Sequence, residues 1–287
     1  MACIAYVNGR FVRQSEACVR IEDRGFLFAD GVYEVWPVLA GRLADANDHF
    51  ARLERSLSEL RIAMPMSRAA LTLVLGEAVR RNRVRDGRLY LQVTRGAAPR
   101  DHGFPSPPVT PSLVVMVRPV DLDAAEARAE RGVAVVTTPE TRWARCDIKS
   151  VALLPNVLAI QAAREAGAQE AWFVDALGLV TEGGSSNAWI VDAGGTARTR
   201  DLNANILRGV TRAALMRLMR EEGVAVSERP FTVDEAKAAR EAFITSAAAF
   251  VTGVVRIDGT AIGDGRPGPL TRRLRALYLS HERAPAP

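Results

Sequence analysis

The chain reads as an α+β protein of two domains, and three observations lead there. Extended segments and helical patterns follow one another without the regular strand–helix alternation of a dinucleotide-binding fold. A length of 287 residues suits two domains of ordinary size, each with ample core. Near the middle, residues 121–131 mix acids, arginines and alanines without an apolar stripe, which marks a linker or a short helix within one. The expected division is a smaller N-terminal domain over 1–120, a linker over 121–127 and a larger C-terminal domain over 128–287.

In chain order, residues 4–7 and 10–12 flank Asn8-Gly9, a turn pair that joins two strands in a hairpin. Residues 18–21 offer a further short strand, and 24–35 mix glycines with extended, half-apolar sequence. A helix then begins at Asn47 or Asp48, with Phe50, Leu53, Leu57 and Leu60 at helical spacing. Ser67 can cap a second helix whose apolar positions are Leu71, Leu73, Val74, Leu75 and Val79. Residues 89–94 and 113–117 read as strands around a Pro/Gly-rich loop over 96–111. Beyond the linker, strands are expected at 133–137, 171–175, 188–191, 224–226 and 242–245. Helices are expected at 156–166, ended by Gly167, at 209–222 and at 270–279.

The composition, 48% apolar and 25% charged, is that of a soluble globular protein, and no apolar run approaches the ~18 residues of a membrane span. The first ten residues lack the basic start and long apolar core of a signal peptide. Cys3, Cys18 and Cys146 make neither a disulfide framework nor a metal spacing, so a reducing, cytoplasmic setting without a metal is expected. The net charge of +5 comes from arginines interleaved with acids, as in Arg52-Leu53-Glu54-Arg55. That pattern argues against a nucleic-acid or membrane surface and for anionic small-molecule sites.

Only two of the 38 basic residues are lysines, Lys149 and Lys237. Arginine stays protonated, whereas a desolvated lysine can lose its proton and attack a carbonyl. Lys237 lies in Asp234-Glu235-Ala236-Lys237, the pattern of a solvated helix face. Lys149 lies between Ile148 and an apolar run, and admits two readings, a reactive amine or a side chain snorkelling at a strand end. Thr181-Glu182-Gly183-Gly184-Ser185-Ser186-Asn187 brings an acid and ligand-approaching glycines, or else forms an ordinary hairpin turn. Leu207-Arg208-Gly209-Val210-Thr211-Arg212 opens a helix whose free N–H groups and threonine hydroxyl suit a phosphate, or simply begins a capped helix. Arg52 taken alone is a surface arginine.

Together these segments meet the needs of pyridoxal phosphate: a lysine, a carboxylate for the pyridine nitrogen and an anion site. The sequence here resembles the fold-type IV pyridoxal-phosphate enzymes, the group of D-amino acid and branched-chain aminotransferases and aminodeoxychorismate lyase. Cys146-Asp147-Ile148-Lys149-Ser150 with residues 153–159 resembles the segment of the Schiff-base lysine. Thr181-Glu182-Gly183 with Ser185-Ser186-Asn187 resembles the segment whose acid serves the ring nitrogen. Residues 206–212 resemble the phosphate cradle, with Leu207, Gly209, Val210 and Thr211 at its centre, and Arg52 resembles the phosphate-binding arginine. At Thr245-Ser246-Ala247-Ala248 the pattern departs, because Ala247 stands where the family commonly offers a threonine, leaving Ser246 and a backbone N–H. The loop Thr94-Arg95-Gly96-Ala97-Ala98-Pro99-Arg100-Asp101-His102-Gly103-Phe104-Pro105 resembles the one that clamps the α-carboxylate in D-amino acid aminotransferases, with Arg100, His102 and Tyr33 as the clamp. The resemblance implies a homodimer that holds the cofactor between two domains. It also implies amino-group transfer from D-alanine, D-glutamate or D-aspartate to 2-oxo acids by a ping-pong mechanism. A branched-chain L-aminotransferase or an aminodeoxychorismate lyase of the same fold is the alternative. A non-enzymatic anion-binding protein is the alternative from another class.

Overall fold

The computed structural model describes residues 3–283, which form two compact units. The first runs to Asp121 and takes in Ile148–Ala152; the second comprises Leu122–Asp147 and the chain from Leu153 onward. Both helix and sheet are present in each, so the α+β expectation holds.

In the first unit, β1 (Ile4–Val7) and β2 (Arg10–Arg13) form the hairpin expected from Asn8-Gly9. Both turn residues have positive φ, 45° and 95°, which asparagine and glycine tolerate. A five-residue helix, α1 (Arg24–Phe28), precedes β3 (Gly31–Leu39), and β4 (Arg42–Leu43) pairs with the far end of β3. Then come α2 (Ala46–Glu59), α3 (Arg68–Asn82), β5 (Gly87–Thr94) and β6 (Ser112–Pro119). The sheet order is β2-β1-β6-β5-β3-β4, antiparallel throughout. Alternation puts Val32, Trp36, Val38, Leu89, Leu91, Val93, Val115 and Val117 on one face, in one core with Phe50, Leu53, Leu57, Leu71 and Leu75 of the helices.

Three expectations for this unit change. Residues 18–21 form no strand, because Val19 and Ile21 are exposed and no neighbour pairs with them. The α2 cap is Asp45, two residues before Asn47. Leu73 points outward at 75% exposure, while Leu71 and Leu75 are fully buried.

The linker residues lie in a helix, α4 (Leu122–Arg131), whose one buried residue, Ala129, accounts for the missing apolar stripe. The second unit continues with β7 (Val133–Pro139), α5 (Leu154–Glu165), β8 (Glu170–Val174), β9 (Val180–Gly183) and β10 (Asn187–Val191). Next are β11 (Ala197–Thr199), α6 (Val210–Glu221), β12 (Val226–Glu228) and α7 (Val233–Lys237). The last elements are β13 (Glu241–Ser246), β14 (Phe250–Ile257), β15 (Thr260–Ala261) and α8 (Pro269–Arg283). The mixed sheet runs β12-β11-β10-β13-β14-β7-β8-β9, with β15 on β14. Strands β9, β11, β14 and β15 were not expected. Thr181-Glu182-Gly183 carries turn-like composition yet is buried strand, and only residues 184–186 turn. In β14, Gly253 interrupts the apolar run where a Cβ would meet Pro267 at 2.8 Å.

The lysine segment differs most from expectation. Placed by sequence in the C-terminal domain, Ile148–Ala152 joins the first unit instead. Tyr33 N donates to Lys149 O at 3.0 Å, Val151 N donates to Gly31 O at 3.0 Å, and Ser150 bridges Val32. The segment takes the edge of β3 that β4, paired only at Val38 and Leu39, leaves open.

The two α3 leucines give a direct check on this packing. Leu71→Ala should cost about 2–5 kcal/mol, as expected for a buried side chain, and Leu73→Ala no more than about 0.5 kcal/mol. Chemical denaturation of both variants reads the difference, and equal losses would contradict the burial assignment.

Candidate active site

The period of two along β3 separates two sets of groups at the lysine segment. Tyr33 lies on the face away from the helices, and the Lys149 Nζ sits 4.1 Å from its ring centroid. Tyr33 stacks on Tyr90 at 5.7 Å, and the Tyr90 hydroxyl donates to Gln92 Oε1 at 2.7 Å. Burial, then the neighbouring Tyr33, pushes the Tyr90 phenol up to about 12, so it stays a neutral donor. The main chain of Lys149 is fixed as well, its N–H donating to Ser56 Oγ at 3.3 Å.

Glu34, the next residue, points the other way and is completely buried. Its oxygens accept from Arg52 Nε at 2.7 Å and Nη2 at 2.8 Å, and one pairs with His49 Nδ1 at 2.8 Å. Burial alone would raise this carboxyl, but the charge and hydrogen bonds of Arg52, with His49, hold it down at about 2. Burial lowers His49 despite Glu34, so the imidazole is neutral and donates from Nδ1. Arg52, read from sequence as a surface or phosphate-binding arginine, thus forks onto a buried carboxylate one turn before Ser56.

Arg100 and His102 lie exposed in the loop after β5. Both flank Phe28 of α1, the guanidinium 5.3 Å and the imidazole 5.4 Å from its ring centroid. Among the described residues no hydrogen bond or ring contact joins either to Tyr33.

In the second unit Asn187 and Leu207 meet Glu182 of β9 just before the start of α6. Glu182 accepts from Asn187 Nδ2 at 2.9 Å and from the Leu207 N–H at 3.0 Å, and its other oxygen accepts from Arg142 Nη1. Two residues beyond Leu207, Gly209 caps α6 without any side-chain bond, leaving the first-turn N–H groups and Thr211 to an outside acceptor. A Cβ at Gly209 would meet Asn187 Oδ1 at 2.0 Å, so only glycine permits this approach. Val210 and Thr211 are both buried.

Ser185 and Ser186 donate to Glu170 at 2.8 and 2.9 Å, tying the turn to a carboxyl that burial pushes up. Ser246 Oγ accepts from Ala249 N at 3.0 Å in the turn between β13 and β14, where Ala247 supplies no hydroxyl. Lys237 pairs with Asp258 at 2.9 Å, as its charged setting suggested.

Sequence reasoning missed Arg142, Glu140, Glu34, His49 and Glu170. Arg142 Nε donates to Glu140 Oε1 at 2.9 Å as well as serving Glu182, and its guanidinium lies 4.5 Å from the Phe173 ring centroid. Burial opposes that cation, but Glu140 and Glu182 keep it protonated, and Arg142 in turn holds Glu140 below its ordinary range against burial. Burial pushes the Cys146 thiol up to about 11, so it is no nucleophile at neutral pH. One signal was available in Glu140-Thr141-Arg142, an acid and an arginine two apart at a strand end; the others sit in patterns that read as ordinary surface.

The Glu34 pair yields a pH prediction. A carboxyl held at about 2 against an ordinary 4.5 contributes stability fully present above about pH 4.5 and lost as pH falls toward 2. Glu34→Gln should therefore destabilise by on the order of 3 kcal/mol at pH 7, leaving Arg52 without its counter-charge. Denaturation midpoints of the two proteins should keep a constant separation down to about pH 4.5 and converge below it. A separation independent of pH would remove Glu34 as the ionised partner.

The family described as Amino-transferase class IV matches residues 31–257. A D-alanine aminotransferase of Bacillus licheniformis is 44% identical over 268 residues, 93% of each chain. One from Staphylococcus haemolyticus is 40% identical over 270 residues, 94% of each. Among solved structures, a T.th. branched-chain amino acid aminotransferase with pyridoxamine 5'-phosphate superposes with a TM-score of 0.89 at 28% identity, covering 98% of this chain and 94% of its own. With the family match spanning most of its length and such relatives end to end, the chain belongs to the class IV aminotransferases.

Proposed function

We propose that the protein is a pyridoxal-phosphate-dependent D-amino acid aminotransferase, moving the amino group of D-alanine, D-glutamate or D-aspartate to 2-oxo acids in a ping-pong cycle. The observation that carries the choice is the 40–44% identity to D-alanine aminotransferases along nearly the whole chain, against 28% for the branched-chain enzyme. A homodimer in the cytoplasm is the proposed working form. Branched-chain L-amino acid transfer is the second reading, favoured by the shared fold.

The residues present fit the cofactor. Lys149 offers a primary amine set on an aromatic face, Glu182 a fixed buried carboxylate, and the α6 start uncapped N–H donors beside a threonine. Arg52, Ser185, Ser186, Asn187, Leu207, Gly209, Val210, Thr211, Ser246 and Ala247 complete the proposed binding set. When bound, pyridoxal phosphate supplies the ring that accepts the electrons of the broken Cα–H bond. Lys149 Nζ would take the substrate's Cα proton as base and, as acid on the same face, give that proton back in the next step. Glu182, aligned by Asn187, the Leu207 N–H and Arg142, holds a proton on the pyridine nitrogen. Arg100, His102 and Tyr33 bind the substrate carboxylate, arginine by its fork and the others by single N–H and O–H donors. Fixing the carboxylate while Lys149 works from one face decides which enantiomer presents its Cα–H.

Glu182→Gln should retain the cofactor while kcat falls at least ~100-fold. An unchanged kcat in the fully loaded variant would remove Glu182 from the ring nitrogen. Arg100→Leu should raise KM for amino and oxo acid alike, since both carry the clamped carboxylate. The enantiomers of alanine, each assayed with 2-oxoglutarate by pyruvate formation, decide the hand: D-alanine should react faster, and faster L-alanine or L-leucine would favour the second reading.

A further inference from the structure

We propose that Arg24, a buried arginine on α1, is the positioning residue that presents Arg100 and His102 for carboxylate binding. The inference rests on the reading of those two residues as the clamp. Arg24 is 3% exposed, yet two of its donors reach an exposed loop. Nη1 donates to the main-chain oxygen of Asp101 at 2.6 Å and Nη2 to that of His102 at 3.4 Å. Nε donates to Asp30 Oδ2 at 2.8 Å. One planar cation thus ties two successive carbonyls of the loop to a carboxylate on the scaffold.

The rest of the cluster makes that anchor rigid. Asp30 also accepts from Arg95 Nε at 2.7 Å and Nη2 at 3.0 Å. Burial would raise the Asp30 carboxyl, but Arg95 and Arg24 keep it below its ordinary range. Arg95 donates further to the carbonyls of Leu60 and Arg61, at 2.7 and 2.9 Å, fixing itself to the end of α2. Its guanidinium lies 3.7 Å from the Phe104 ring centroid, with Arg61 4.8 Å from the same ring, so the loop is held again two residues past His102. Phe28 sits among Arg24, Arg100 and His102 at 4.9, 5.3 and 5.4 Å.

The division of labour is sharp. The loop's main chain is bonded to the scaffold, while among the described residues no hydrogen bond or ion pair takes the Arg100 guanidinium or the His102 imidazole. Anchored backbone and side-chain donors left free for a ligand are what a preformed carboxylate site requires, because ordering the loop is no longer a cost of binding. Lysine could not replace Arg24, since a single ammonium cannot serve Asp30 and both carbonyls with a fixed fork.

Arg24→Lys keeps a cation for Asp30 while giving up the fork, so the fold should survive. We expect KM for D-alanine and for pyruvate to rise together by ~10–100-fold with kcat within ~3-fold, and the thermal midpoint and cofactor absorbance to stay near wild type. In an Arg100→Leu/His102→Ala background the same change should raise KM by less than ~3-fold, because the anchor acts through the two residues already lost. Trypsin should cut after Arg100 at least ~10-fold faster in Arg24→Lys, with no gain elsewhere, reading loop anchoring without any assay of turnover. Unchanged KM for both substrates, an unchanged cut rate, or a general fall in kcat and thermal midpoint would each overturn the proposal. Arg24→Gln, read the same way, serves if Arg24→Lys does not accumulate as folded protein. A wild-type enzyme inactive on D-alanine would instead overturn the D-amino acid reading, leaving the proteolysis comparison to decide the anchor.

Discussion

Two backbone hydrogen bonds, Tyr33 N to Lys149 O and Val151 N to Gly31 O, set the terms for the first unit's chemistry. They add a short length of distant chain to the open edge of β3, beyond the reach of β4. Strand alternation then does the sorting. Tyr33 turns to the face where the Lys149 amine lies, and Glu34 turns into the core to hold Arg52 and His49. A slip of one residue in that pairing would turn the lysine side chain to the opposite face, while Glu34, set by the pairing of β3 with β5, would stay in the core. The register of this short segment therefore decides which face the amine meets.

Forked guanidiniums recur at several of the chain's carboxylates. Arg52 grips Glu34, Arg24 and Arg95 share Asp30, Arg142 joins Glu140 to Glu182, and Arg275 ties Glu126 to the carbonyls of Ala249 and Val251. A guanidinium spans two or three acceptors in a fixed plane, which an ammonium cannot. At these places arginine serves internal pairs rather than a polyanion-binding surface. The two lysines left have different surroundings, one over an aromatic ring and one paired with Asp258 at the surface.

Much of this was legible where a residue's chemistry is local. Asn8-Gly9 announces its turn because few other pairs tolerate two positive φ values in succession. Ser67 announces α3 because its hydroxyl accepts from Ala70 N. The segments around Lys149, Glu182, Gly209 and Arg100 stood out through their joint resemblance to the family's segments, since each taken alone admitted an ordinary structural reading. What was not legible is long-range. Nothing near Lys149 says that Ile148–Ala152 pairs with β3 rather than with the unit around it. Thr181-Glu182-Gly183 looks like a turn until neighbouring strands bury it. Arg24 reads as an ordinary charged residue, and only the fold brings its fork to Asp101 and His102, 77 and 78 positions away.

The central claim is that the lysine on the edge of β3 is the one that holds the cofactor. Borohydride reduction of the yellow holoenzyme followed by peptide mapping tests it most directly, because reduction fixes the cofactor to whichever amine carries it. The account predicts the pyridoxyl mass on the peptide containing Lys149 and none on that containing Lys237. Label on Lys237, or a holoenzyme that takes no label at all, would contradict it.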